Sequence, residues 1–233
     1  MPAAEKRFFV SNQGLEKDLV LSGAEHNHLA NVLRLRVGDG IIAVCGDEFD
    51  YQYKITSISK SQTNLSLAKK WLNQYNPKKA LTVYMGVIKH DNLALAVEKL
   101  NEIGVKRIVL FKSAHSQNIP IKLEKLQITA NQSCKQCGRS IPLKVCEVLA
   151  FQDMLKSLPK STVFADEKET SARFGASVAA NAIVIGPEGG FTDAERELLR
   201  KSAAAISLGP RILRAETAAI VGASLVLSQL GEI

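Results

Sequence analysis

The sequence is poor in the residues that mark the commoner special classes. Its 233 residues include four cysteines, Cys45, Cys134, Cys137 and Cys146, and four histidines. Cys134 and Cys137 have CxxC spacing, but neither a second pair nor histidines at ligand spacing complete a zinc set. No metal is expected, and the thiols read as free. Aromatics make up only 6% of the chain, which predicts an aliphatic core. The longest apolar run, residues 218–227, is about half the ~20 residues a membrane span needs, so no membrane segment is expected. The first ten residues show no apolar stretch followed by a small-residue cleavage site, so no secretory signal is expected. Neither GxGxxG nor GxxxxGK[ST] occurs, which argues against a phosphate-binding nucleotide enzyme. With 46% hydrophobic residues the remaining class is a globular protein with a real core, predicted to be cytoplasmic.

Positive charge is present in excess, and its distribution is uneven. Residues 1–75 carry nine Lys/Arg against eight Asp/Glu, residues 76–149 twelve against five, and residues 150–233 nine against ten. The whole net charge of +7 therefore lies in the middle third. A polyanion-facing surface has this form, and so does a lysine-rich solvated face.

Two styles of patterning divide the chain. Short strands are predicted over 8–10, 41–44, 51–58 and 64–68, with one helix over 25–34, a spacing that suits a small barrel. Residues 71–79 are polar and contain Pro77, which places a linker there. Beyond it, strands over 81–87, 105–111, 162–165 and 182–185 alternate with helices over 92–103, 126–137 and 152–158. That rhythm predicts an α/β domain with a largely parallel sheet. The predicted domains are 1–73 and 78–233.

Two loops carry the chemistry. The strand over 182–185 runs into Gly186-Pro187-Glu188-Gly189-Gly190-Phe191, and Thr192 with Glu195 then forms a capping-box pattern. Glycines between a strand and a helix let backbone approach a ligand, and Glu188 favours a neutral or cationic one over phosphate. A tight βα turn is the alternative. The second segment, Leu208-Gly209-Pro210-Arg211-Ile212-Leu213-Arg214, leads to Glu216 and a mostly buried helix to about residue 230. Arginines beside a buried helix need partners. Pairing of Arg211 or Arg214 with Glu216 or Glu188 is one way to supply them.

The string Ile185 to Thr192 with Glu195, followed by Leu208 to Ala218, resembles the RsmE family, the bacterial 16S ribosomal RNA uridine-N3 methyltransferases of the SPOUT superfamily. The resemblance extends over nearly the whole chain. It includes Arg7-Phe8-Phe9-Val10, the stretch His28 to Asp39, Lys89, Glu98-Lys99, Glu102 to Val105 and Gln136 to Arg139. One departure is Ala114-His115-Ser116, where the family usually has Glu-Arg-Ser.

The resemblance implies a PUA-like N-terminal β-barrel that helps hold RNA. It also implies a SPOUT α/β domain whose end threads a deep trefoil knot, an exception to unknotted topology. The protein would be a homodimer acting on 16S rRNA of the 30S subunit, with S-adenosylmethionine as cofactor. The residues expected to grip the cofactor are Phe164, Ala165, Ile185, Gly186, Pro187, Glu188, Gly189, Gly190, Ser207, Leu208, Gly209, Ile212, Leu213 and Thr217. Arg7, Arg211 and Arg214 are the candidates for stabilising the developing uracil anion, with Glu216 orienting an arginine. Arg34, Arg36, Lys89, Lys99 and Arg139 are predicted phosphate contacts. Two readings compete with this one. A non-catalytic RNA-binding protein would take up no cofactor, and a sister SPOUT enzyme would methylate ribose.

Overall fold

The computed structural model describes residues 6–10, 15–169 and 180–233. These fall into two compact units, Met1–Asn76 with Asn131–Pro142 and Pro77–Ala130 with Leu143–Ile233.

The first unit is built on a five-stranded sheet of β1 (Lys6–Phe9), β2 (Leu19–Ser22), β3 (Gly40–Val44), β4 (Phe49–Ile58) and β5 (Gln62–Leu72), ordered β1-β3-β4-β5-β2. Only β1 and β3 pair in parallel. Period-two burial in β4 turns Tyr51, Tyr53 and Ile55 into the core. The sequence reading overlooked β2, whose Leu19 and Leu21 alternate inward over too short a run to stand out. The helix expected over 25–34 forms as α1 (Gly23–Asn27) followed by a turn of π-helix, His28–Val32. It ends where Arg34 adopts a left-handed φ of 54°.

Residues 131–142 belong with this unit, although a single cut near residue 75 would place them in the other. Side-chain amides explain the grouping. Asn73 Nδ2 donates to the Gly138 carbonyl at 2.8 Å, and Asn76 Oδ1 accepts from the Ser140 and Ile141 amides at 3.1 and 3.0 Å. Asn73 and Asn76 lie in the polar segment that the sequence marks only as a linker.

The second unit holds a six-stranded, wholly parallel sheet. Its strands are β6 (Thr82–Gly86), β7 (Arg107–Lys112), β8 (Lys144–Ala150), β9 (Thr162–Ala165), β10 (Ala182–Ile185) and β11 (Ala204–Ile206), in the order β11-β9-β10-β6-β7-β8. Among the described residues five helices accompany them: α2 (His90–Glu102), α3 (Leu123–Cys137), which from residue 131 onward groups with the first unit, α4 (Phe151–Ser157), α5 (Asp193–Arg200) and α6 (Ala215–Leu230). Both faces of the sheet are covered, so its central strands are continuously apolar. Val83, Met85, Ile183 and Ile185 join α2 and α6 in one core, while Tyr84, Val109, Phe164 and Val184 face α4 and α5 in another. Among the described residues, no helix is long and apolar enough to cross a membrane.

The last helix lies unusually close to the sheet. A Cβ at Gly222 would stand 2.5 Å from Ile183 Cδ1, with Ile185 and Leu208 side chains next to it. Gly222→Val is therefore expected to destabilise the protein by about 1–3 kcal/mol through overpacking. The check is a lower urea midpoint at unchanged slope. An unchanged midpoint would show that α6 can move off the sheet.

Candidate active site

The site lies at the carboxyl ends of β9, β10 and β11, where a parallel α/β sheet commonly receives ligands. Beyond Ile185 the chain makes a turn in which the Gly190 amide donates to the Pro187 carbonyl at 2.8 Å. Gly190 has φ +67°, and a Cβ there would meet Glu167 Oε1 at 2.7 Å. Phe191 folds back beneath the turn, its ring stacked on Phe111 with centroids 6.3 Å apart. Thr192 caps α5 with both bonds of the capping box: Thr192 Oγ1 accepts from the Glu195 amide at 3.2 Å, and Glu195 Oε2 from the Thr192 amide at 2.9 Å.

The triplet that departs from the family wording props this loop. Ala114 donates its amide to Glu195 Oε1 at 2.9 Å. His115 Nδ1 is 2.9 Å from the Gly189 carbonyl and 3.3 Å from that of Gly190, so this nitrogen carries the proton. Sequence reasoning had no signal for this, because the three residues touch the loop only through the fold.

The turn forms one wall of a cavity of about 260 Å³. Ala165, Asp166 and Glu167 line it from the end of β9, Ile185 to Phe191 from the turn, and Leu208, Gly209, Arg211, Ile212, Leu213, Ala215 and Ala218 from the opposite side. Below it, Arg196 binds buried Asp166 at 3.0 Å and also Glu167, and Arg200 holds the other Asp166 oxygen at 3.0 Å. Burial works against the Arg196 charge, but Asp166, Glu167 and Asp193 outweigh it and raise its pKa. Asp166 and Glu167 were missed from sequence, although two carboxylates directly after a buried strand were a usable signal.

A second cavity, of about 360 Å³, is lined by Lys89, Asn92, Glu188, Ile212, Leu213, Arg214, Ala215 and Glu216. Glu188, Ile212, Leu213 and Ala215 line both spaces. Glu188 is held by Gln117 Nε2 at 2.8 Å and by Asn92 Nδ2 at 3.4 Å. The pairing left open from sequence does not form: among the described residues, neither Arg211 nor Arg214 makes an ion pair with Glu188 or Glu216. Both arginines are exposed. Glu216 is 5% exposed, and among the described residues its Oε2 has no hydrogen-bond partner.

Other expected site residues lie elsewhere. Phe164 is buried in the core beneath the first cavity, packed against Phe191. Ser207 accepts from the Gly209 amide at 3.3 Å, and Thr217 is exposed; neither lines either of these two cavities. Arg7 is paired with Asp50 in the first unit, at 3.2 and 2.6 Å. Lys99 is bound by Glu98 and Glu102, which raise its pKa in that order. Arg139 is only 2% exposed, and burial lowers its pKa. Arg34 and Arg36 are exposed.

Because Asp166 depends on Arg196, Arg196→Ala should cost about 3 kcal/mol, the low end for a broken buried pair since Arg200 remains. Chemical denaturation measures this, and a loss below about 1 kcal/mol would show that Arg200 suffices.

Known protein families match the two parts of the chain, and the match to the second part runs through residues 131–142, which group with the first unit. A family model described as RNA methyltransferase domain matches residues 74–227, and one described as RNA methyltransferase PUA domain matches residues 21–66. The chain is 30% identical over 230 residues to ribosomal RNA small subunit methyltransferase E of Rickettsia conorii, covering 94% of each. It is 30% identical over 249 residues to the protein of the same name from Bacillus subtilis, covering 96% of each. The crystal structure of ribosomal RNA small subunit methyltransferase E from Neisseria gonorrhoeae, bound to S-adenosylmethionine, matches the fold with a TM-score of 0.85 at 22% identity, over 96% of this chain and 97% of that one. The first unit thus contains a PUA-like domain and the second an α/β methyltransferase domain, and the chain belongs to the family of the bacterial ribosomal RNA small subunit methyltransferase E proteins.

Proposed function

We propose that the protein transfers a methyl group from S-adenosylmethionine to N3 of a uridine in 16S rRNA. It would act in the cytoplasm on the small ribosomal subunit, as a homodimer whose C-terminal segment is knotted. The observation that carries this reading is a pair of adjoining cavities sharing one wall, at the carboxyl ends of three neighbouring parallel strands. The packing of α6 against β10, β6 and α2, after the chain has left the edge strand β11, supports the knotted reading.

The first cavity suits the cofactor. Its apolar surfaces from Ile185, Leu208, Leu213 and Ala218 fit an adenosine, and Glu167 and Glu188 bring negative charge for the ammonium and sulfonium groups. A Cβ at residue 190 would press on Glu167, so the glycine leaves that carboxylate its place in the cavity wall. The cofactor supplies an activated methyl group, and positioning does much of the remaining work. N3 lies on the pairing edge of uracil, so the target base must be unpaired or extruded before it reaches the second cavity. There Lys89 and Arg214 supply positive charge for the uracil oxygens as electron density builds up on the ring. Lys89, Arg34 and Arg36 also remain the best-placed phosphate contacts, with the basic middle third as a salt-sensitive attraction to RNA.

The two arginines expected from sequence to act together separate here, since Arg211 lines the first cavity and Arg214 the second. Arg214→Ala is expected to lower methyl transfer about a hundredfold with little change in S-adenosylmethionine affinity. Arg211→Ala is expected to weaken cofactor binding as well. Calorimetry with S-adenosylmethionine and methyl transfer to 30S particles measure the two effects. Absence of cofactor binding to the unaltered protein would favour a plain RNA-binding role. A methyl found on ribose would favour the sister chemistry.

A further inference from the structure

Glu216 is the acidic group in the second cavity that no other side chain explains. It stands in the first turn of α6, buried to 5% exposure, and among the described residues Oε2 has no hydrogen-bond partner. A buried carboxylate oxygen without a donor is costly unless a ligand supplies one. The charged groups lining the cavity with it are Lys89, the N-cap of α2, Arg214, the N-cap of α6 itself, and Glu188. The strands packed against α6, β6 and β10, bring no charged side chain. Glu188 is engaged by Gln117 and Asn92, whereas Glu216 pairs with neither cation.

The N3–H donor of uracil is flanked by the O2 and O4 acceptors, and the cavity is lined by one carboxylate that no cation engages, Glu216, together with two cationic donors, Lys89 and Arg214. Cytosine has an unprotonated N3 beside an amino group and would leave Glu216 unsatisfied. Resting on the methyltransferase reading above, we propose that Glu216 is the catalytic residue that accepts the N3 proton of the target uracil. The carboxylate takes the proton. The N3 electron pair forms the new N–C bond while the carbon–sulfur bond of the sulfonium breaks, its pair remaining on sulfur. The proton passes from Glu216 to water after the methylated base leaves.

Glu216→Gln in the full-length protein keeps the shape of the side chain and removes its basicity. Melting temperature, S-adenosylmethionine affinity by calorimetry and affinity for substrate RNA are expected to stay within about twofold of the unaltered protein. Single-turnover methyl transfer at neutral pH is expected to fall about a hundredfold or more. The deficit should shrink as pH rises and uracil ionises unaided. It should shrink also with 5-fluorouracil at the target position, whose electron-poor ring releases the N3 proton more readily. Binding gives a readout apart from turnover. Glu216→Ala should reduce the preference for unmethylated over N3-methylated RNA about tenfold, the loss of one hydrogen bond to a charged group. A Glu216→Gln variant with undiminished transfer overturns the proposal. An equal deficit at every pH with no gain from 5-fluorouracil, or weakened cofactor binding, overturns it too and assigns Glu216 a structural role. If the unaltered protein methylates no uracil at N3, the functional reading falls first and this proposal with it.

Discussion

The Glu195 carboxylate ties together the parts on which the site depends. One oxygen accepts from the Thr192 amide and hydroxyl and closes the N-terminus of α5, while the other accepts from the Ala114 amide after β7. Two loops far apart in sequence therefore share one buried acceptor, and the glycine turn lies between them. His115 adds a bond to the carbonyl of Gly189, and Arg196, one residue along α5, holds Asp166 and Glu167 beneath Gly190. A flexible glycine-rich segment is thereby fixed from three sides before any ligand arrives, which lowers the ordering cost of binding.

Much of this was legible in the sequence, and the illegible parts have common causes. The apolar strands of the parallel sheet stood out because burial on both faces removes polar residues from them. The capping box was readable because Thr192 and Glu195 are three residues apart and interact locally. Strand β8 escaped notice because its half-buried residues show no clean alternation, and its pairing with β7 slips between Ile108 and Leu110. The grouping of residues 131–142 with the first unit rests on amide bonds spanning about sixty residues of chain. No local pattern encodes such bonds.

Charge was the least readable property. Five basic residues had been expected to meet RNA phosphate, yet Arg139 is buried and Lys99 is engaged by two glutamates. Arg7, expected beside the base, is held by Asp50 in the first unit. The arginines next to α6 were expected to need internal partners, and they have none among the described residues because they are exposed. Beside them the buried Glu216 has an Oε2 with no hydrogen-bond partner among the described residues, which moves attention from the cations to the carboxylate at the second cavity. The shared wall of Glu188, Ile212, Leu213 and Ala215 would then give a methyl donor and its acceptor, placed as proposed, a common boundary.

Mass mapping of 16S rRNA from cells with and without the gene shows whether these adjoining cavities bring a methyl donor to N3 of one uridine, as proposed. In cells lacking the gene one uridine-containing fragment should be lighter by a single methyl group, with fragmentation placing the lost methyl on base N3. Identical fragment masses, or a methyl lost from a ribose instead, would contradict it.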